Sequence, residues 1–463
     1  MSEQTDKIKG VQFMKKMLTV MLIALVAMGM LFASGSKETA TTSTKSEKGV
    51  ITKPTTTTDP QLKKNIKILS IWAEDNDNGV LITSLLNKYI KEVNPNFSYE
   101  YEMVSSNDLK QKVTTLAASN DLPDIFVYES GKPILELVEA DSIMDIGAIA
   151  EAFNFSNSFS PAAVSLLKTL SGTDVLYDLP LGMNVEGFWY NKALFEKAGA
   201  KVPQTWDEFE DALAKLQAAG IQPLAAGGAD KWGLTRVVNA YLVRTAGPNA
   251  MKDASTGKAK YTDPIYVAAA QKIQDWANKG YFGRGITTVD MNTAGSMLMT
   301  GKAAIFYNGS WFAGNLNDKT ANLAGEDGIG FFNVPVADAS ISDSTAYSMN
   351  CGNILCVGKS RYDEATGWAL KYFVENIGNY AMSTQGTVKG YNYTTTNDSI
   401  PHYTQLVLDE IDKAKSAFTW FEATMGSEVS TVTQNNVQPL VTNDITAMEY
   451  MKKIQTAAEL QNL

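Results

Sequence analysis

At 463 residues, with 44% hydrophobic and 19% charged side chains, the chain is composed as an ordinary globular protein and is long enough for two domains. Fifty acidic against 40 basic residues leave a formal net charge of −10, which repels phosphate backbones and argues against nucleic acid as a partner. A single histidine, His402, and two cysteines, Cys351 and Cys356, exclude a disulfide framework and most zinc or Ser-His chemistry.

The first organised feature is Met14-Lys15-Lys16, then an apolar run from Met17 to Phe32, then the small residues Ala33, Ser34 and Gly35. That order is a secretory signal, so residues 1–35 read as a signal peptide, with Met1 or Met14 as the start. The run holds 16 residues, whereas a membrane span needs about 20. Ser36 to Pro60 is rich in Thr, Ser and Lys and reads as a flexible lead-in outside the fold.

Beyond residue 60, short apolar strands alternate with amphipathic helices, an α/β pattern. Ile66–Trp72 reads as the first strand; Phe97, Tyr99, Tyr101 and Met103 alternate as the second, and Ile125–Tyr128 continues the series. Gly187–Tyr190 is a further strand. A helix is predicted over Trp206–Ala219, with Thr205 as N-cap, Glu208 three residues on and Gly220 as terminator. Strands recur at Ala303–Tyr307, Ile329–Phe332 and Ile354–Val357, followed by a helical stripe of Ala365, Trp368, Ala369, Tyr372 and Phe373. Cys351 and Cys356, on one extended run, would lie about 16 Å apart and beyond disulfide reach, so both read as small buried residues. Gly358-Lys359-Ser360 looks like the end of a P-loop, but five residues separate Gly352 from Gly358 where a P-loop has four.

The eight tryptophans divide into two groups. Trp206, Trp276 and Trp368 lie on helical stripes and Trp189 lies inside a strand, so these four belong to cores. Trp72, Trp232, Trp311 and Trp420 stand at strand ends or in loops beside carboxylates and amides. Such neighbours suit sugar recognition: the C–H face of a pyranose stacks on an indole while carboxylates and amides pair with its hydroxyls. Ordinary packing is the alternative reading for each.

A series of motifs then accumulates in order: Pro123-Asp124-Ile125; Leu179-Pro180-Leu181-Gly182; Trp189-Tyr190-Asn191-Lys192-Ala193-Leu194-Phe195-Glu196-Lys197-Ala198-Gly199; Val202-Pro203-Gln204-Thr205-Trp206; Gly228-Ala229-Asp230-Lys231-Trp232; Gly301-Lys302-Ala303-Ala304; Asn308-Gly309-Ser310-Trp311; and Gly330-Phe331-Phe332-Asn333-Val334-Pro335. Over about residues 61–463 this pattern resembles the extracellular solute-binding proteins (family 1) of carbohydrate ABC transporters, which are maltose-binding-protein-like. The resemblance implies a periplasmic-binding-protein-like fold, two α/β lobes joined by a hinge with the ligand cleft between them. The first lobe would comprise 61–180 and 334–384 and the second 181–333 and 385–463, with crossings near Leu179–Glu186, Asn333–Val336 and Gln385.

By motif, the resemblance places Trp72, Glu74 and Asp75 after the first strand, Tyr128 and Glu129 after Pro123-Asp124-Ile125, and Asn184 in the first crossing, where a relative has a carboxylate. It adds Asp230 and Trp232 from the Asp-Lys-Trp loop and Trp311 from the Gly-Ser-Trp turn, then Asn350 and Trp420. It implies a secreted, periplasmic or extracellular, monomeric, non-catalytic receptor that needs no cofactor or metal, binds a sugar or oligosaccharide and delivers it to ABC permease subunits. Many relatives carry a lipid-anchored cysteine after the signal; here Ser36 stands there, so a lipid anchor is not supported. A carbohydrate-active enzyme and a surface adhesion or sensory module are the competing readings.

Overall fold

A computed structural model of the chain describes residues 48–394 and 400–461. The signal segment over 1–35 lies outside the described residues. Ten strands occur among those described: β1 (Lys64–Ser70), β2 (Phe97–Met103), β3 (Ile125–Glu129), β4 (Asn184–Asn191), β5 (Gln222–Ala225), β6 (Ala303–Gly309), β7 (Ile329–Phe332), β8 (Ala346–Asn350), β9 (Asn353–Val357) and β10 (Ser416–Phe418). They form two sheets. The first runs β2-β1-β3-β9, parallel except for β9, and the second runs β10-β8-β4-β6-β5, with β7 also beside β4.

Helices cover both sheets, and each lobe has its own core. In the first, Ile68, Leu85, Phe126, Ile354 and Val374 are almost wholly buried. In the second, Phe209, Leu213 and Trp276 pack as a cluster in which the Trp206 and Trp276 rings stack 5.7 Å apart. The helix Trp206–Ala218 starts where its sequence says it should. Thr205 accepts from the Glu208 amide and Glu208 accepts from the Thr205 amide, so two otherwise unmet donors of the first turn are satisfied.

The lead-in is not loose over its described part. Gly49 donates to the Tyr362 carbonyl (2.9 Å), Tyr89 donates to Asp59, and Ile51 packs against the first core. One apolar side chain and two hydrogen bonds tie down a stretch whose composition reads as disordered.

The connections between sheets differ from expectation at two of three places. The first runs along β9: Leu179 and Leu355 exchange backbone hydrogen bonds (2.9 and 3.0 Å), and the Leu181 amide donates to the Cys351 carbonyl (3.2 Å). The second was expected near Asn333–Val336, yet β7 and β8 both belong to the second sheet, and Val336 pairs with Gln204 and Trp206 of that lobe. The chain therefore crosses at Cys351-Gly352, between β8 and β9. The third, expected near Gln385, comes later, because Gly390 and Tyr391 still pair with Ser160 and Phe159 of the first lobe. In both cases a pairing partner far away in sequence holds an extended segment in place, which local pattern cannot reveal. Cys351 thus sits in a crossing and not inside a strand; it and Cys356 are buried and unpaired.

Candidate functional site

The strand register gathers the candidate residues. β4 begins where β6 and β8 end: Asn184 faces Asn350, and Glu186 faces both Gly309 and Ser348. β10 runs parallel to β8 with Phe418 beside Ser348, so Trp420, two residues on, comes level with Asn350. β5 runs parallel to β6, so the loop holding Asp230 and Trp232 leaves from the same edge as Ser310 and Trp311. In the first sheet Leu69 pairs with Phe126, which brings Trp72 level with Glu129, itself opposite Asn353. The two edges are joined directly by Cys351-Gly352. Carboxyl ends of strands at a change of connection are where open α/β sheets bind ligands.

On the second lobe Trp232 and Trp311 are half-buried neighbours with ring centroids 6.2 Å apart. Trp420 is 6% exposed and packs on Leu170 of the first lobe and on Ala423. Arg236 lies one helical turn after Trp232, on the helix Trp232–Thr245, and its guanidinium carbon is 5.5 Å from the Trp232 ring centroid and 5.4 Å from that of Trp420. Its Nε donates to Glu186 (3.1 and 3.3 Å to the two oxygens) and its Nη1 to Glu422 (2.8 Å). Both carboxylates are almost wholly buried. Burial pushes the Glu186 carboxyl up from its ordinary range, opposed by the Arg236 charge and the Tyr307 hydroxyl.

Asn184 and Asn350 stitch the crossings together. Asn184 Nδ2 donates to Asn350 Oδ1 (3.1 Å), which also accepts from the Gly352 amide (2.7 Å), while Asn350 Nδ2 donates to Glu186 (2.5 Å). Ser310 donates to Asn184 (3.2 Å). Gly352 has φ +71°, the left-handed region glycine adopts at least cost, and a Cβ there would lie 3.4 Å from the Asn184 amide nitrogen.

The remaining candidates separate. Asp230 accepts from the Met291 amide (2.7 Å), at the start of the helix Met291–Met299, and so is engaged inside the second lobe. Trp72 is half-buried, and its carbonyl accepts from Tyr101 (2.9 Å). Glu74 and Asp75 are exposed on the lip of the loop after β1. Tyr128 is buried, its hydroxyl 3.4 Å from that of Ser427; Glu129 pairs with Lys110 (2.9 Å). The lobes touch here. Ser427 donates from its amide and hydroxyl to Glu136 (2.9 and 2.8 Å), Lys132 from its amide to the Ala423 carbonyl (3.0 Å), and Lys110 to Ser430 (2.5 Å). Among the described residues no group of three or more His, Cys, Asp or Glu could hold a metal ion, and no helix is long and apolar enough to cross a membrane.

Residues 77–353 match the profile of the bacterial extracellular solute-binding proteins. The chain belongs to that family. Solute-binding relatives include an uncharacterised ABC transporter extracellular-binding protein of Pyrococcus horikoshii, 23% identical over 64% of this chain and 66% of its own length. The multiple sugar-binding protein of Streptococcus mutans is 27% identical over 49% of this chain and 54% of its own length. The matched stretches thus span about two thirds and about half of these relatives. A solved chitin oligosaccharide binding protein superposes with a TM-score of 0.77 at 25% identity, covering 86% of this chain and 98% of that one. As a solute-binding protein the chain carries the two-lobed α/β fold of this group.

For a solute-binding protein, the residues that sequence reasoning missed are Arg236, Glu186, Glu422 and Ser310. Arg236 stands four residues after Trp232, a spacing that puts both on one face of the helix Trp232–Thr245, but the sequence alone reads Trp232 as a loop residue. Glu186 and Glu422 carried no signal, because their shared partner comes from a third element.

Proposed function

We propose that this solute-binding protein is the sugar or oligosaccharide receptor of an ABC importer, binding its ligand in the interlobe cleft and delivering it to membrane permease subunits. The observation that carries this reading is the half-buried aromatic pair Trp311 and Trp232 on one sheet edge, backed through Arg236 by the buried Trp420, with Trp72 and Glu129 on the edge of the other sheet beyond a two-residue crossing. Indoles offer stacking faces to a pyranose, and Asn184 and Ser310 line a small cavity beside Trp311 where polar groups can meet its hydroxyls. A ligand touching both edges favours the state in which they approach, so binding energy shifts the lobes toward closure, and a permease reads closure.

A glycosidase in the same cleft is disfavoured by what its buried carboxylates do. Glu186 and Glu422 are both committed to Arg236, whereas general acid–base cleavage needs one acid and one base facing the glycosidic bond. The basic residues and apolar run over Met14 to Phe32 support export of the mature chain; N-terminal sequencing of the secreted protein should find a start between Ser34 and Lys37, and an intact Met14 in a membrane fraction refutes it. The test of function is thermal shift against chitin, xylan, maltose and raffinose-type oligosaccharides, with chromatography for products. A ligand at 100 times its dissociation constant stabilises by about 2.7 kcal/mol. Stabilisation without product supports a receptor; product overturns it, and no shift with any carbohydrate overturns the sugar.

A further inference from the structure

Arg236 occupies a place that a structural ion pair does not explain by itself. A guanidinium has donors in its plane and a delocalised charge that rests against aromatic rings, and Arg236 meets both kinds of partner. In the plane, Glu186 from β4 and Glu422 from the loop after β10 take Nε and Nη1. The guanidinium carbon in turn lies over the Trp232 and Trp420 rings, 5.5 and 5.4 Å from their centroids. The carboxylates are themselves held: Tyr307 and Asn350 donate to Glu186 and Thr235 donates to Glu422. Two buried carboxylates facing one cation, with further donors on their remaining lone pairs, fix the plane of the guanidinium in one orientation. The rings that rest on that cation inherit the orientation. Trp232 and Trp420 come from different elements, 188 residues apart in sequence, with Arg236 as the side chain common to both.

We propose that Arg236 is a positioning residue which, clamped by Glu186 and Glu422, fixes the buried Trp420 against the half-buried Trp232, so that Trp420 supports Trp232 as a ligand platform and the two indoles act as one unit. Its effect on affinity rests on the receptor reading above; its effect on the indoles does not. Arginine is required for this because lysine offers a point charge with neither a planar fork nor a stacking face. The clamp continues through Glu186 to Asn350, and so to the Gly352 amide in the second crossing.

Uniform 15N-tryptophan labelling gives eight indole N–H resonances, one per tryptophan. In Arg236→Lys without ligand, the Trp232 and Trp420 signals should shift and broaden together, while those of Trp189 and Trp276, buried elsewhere, stay within line width. Glu422→Gln keeps Arg236 and Glu186 and serves as the second variant if Arg236→Lys folds poorly; it should move the same two signals by less. With triacetylchitotriose as probe, Trp232→Ala and Trp420→Ala should couple in the wild-type background, the double variant losing at least threefold less affinity than the product of the singles. In the Arg236→Lys background they should be independent. A lower melting temperature with both indole signals unmoved, or equal coupling in both backgrounds, overturns the proposal and leaves a structural ion pair. If triacetylchitotriose does not bind the wild type, the choice of sugar fails, and the ligand-free indole shifts alone decide the role of Arg236.

Discussion

Gly309→Ala should move the Trp311 indole without altering it, and so separates the geometry of the proposed platform from its chemistry. Gly309 has φ −85° and ψ 173°, extended backbone that alanine adopts freely. A Cβ there would lie 2.0 Å from Cζ3 of Trp311 and 2.3 Å from Cε3 and Cη2. Carbon atoms rest at about 3.5–4.0 Å, so the ring must move by roughly 1.5 Å. A gap of even 0.5–1 Å forfeits about a quarter to a half of a contact's dispersion energy. A central aromatic anchor contributes about 2 kcal/mol to binding, so Gly309→Ala should weaken affinity by about 1 kcal/mol, roughly fivefold. Trp311→Ala should cost about 1–3 kcal/mol. Stability should change little in either, because the ring lies half-buried at the cleft and can turn into it. Titration calorimetry with the most stabilising sugar of the panel, beside thermal melts without ligand, reads both quantities. If Gly309→Ala binds as the wild type does, or if Trp311→Ala loses about 3–5 kcal/mol of stability at unchanged affinity, Trp311 is a packing residue and the reasoning fails.

Trp206→Ala should do the reverse of Trp311→Ala, losing about 3–5 kcal/mol of stability with affinity unchanged among folded molecules, since its ring is buried among Phe209, Tyr241 and Trp276; denaturant melts and calorimetry check it. Asp178 is buried with Oδ2 unpartnered, and burial pushes its carboxyl up to about 7. The unfolded chain ionises it near pH 4 and the folded one near 7, so it lowers stability progressively between those values by up to about 4 kcal/mol. Asp178→Asn should therefore raise the melting temperature at pH 8 and not at pH 4, and equal effects at both pH values would count against a buried, neutral acid. Glu136→Gln weakens the cap that the first lobe supplies to Ser427 of the second; small-angle scattering should show a larger radius of gyration without ligand, and an unchanged radius means the contact does not hold the lobes together.

Much of this protein is written locally. The capping box at Thr205 and Glu208, the alternation in β2 and the apolar runs of β7 and β9 are short-range properties of the chain, and these three strands formed within a residue of their predicted ends. The core tryptophans were equally legible, because helical spacing alone puts Trp206 and Phe209 on one face. Trp420 was not: its loop setting reads as open, but Leu170 and Ala423 close over it from both lobes. The second crossing was misplaced for the same reason, since Asn333–Val336 looks like a connection until Gln204 and Trp206 pair with Val336. Where the chain changes lobe depends on partners more than a hundred residues away, Gln204 for Val336 and Ser160 for Gly390. The Arg236 clamp is the clearest instance. Glu186, Arg236 and Glu422 carry no shared motif, and only packing three elements against one another in a low-dielectric interior brings two acids, one base and two indoles into a single cluster.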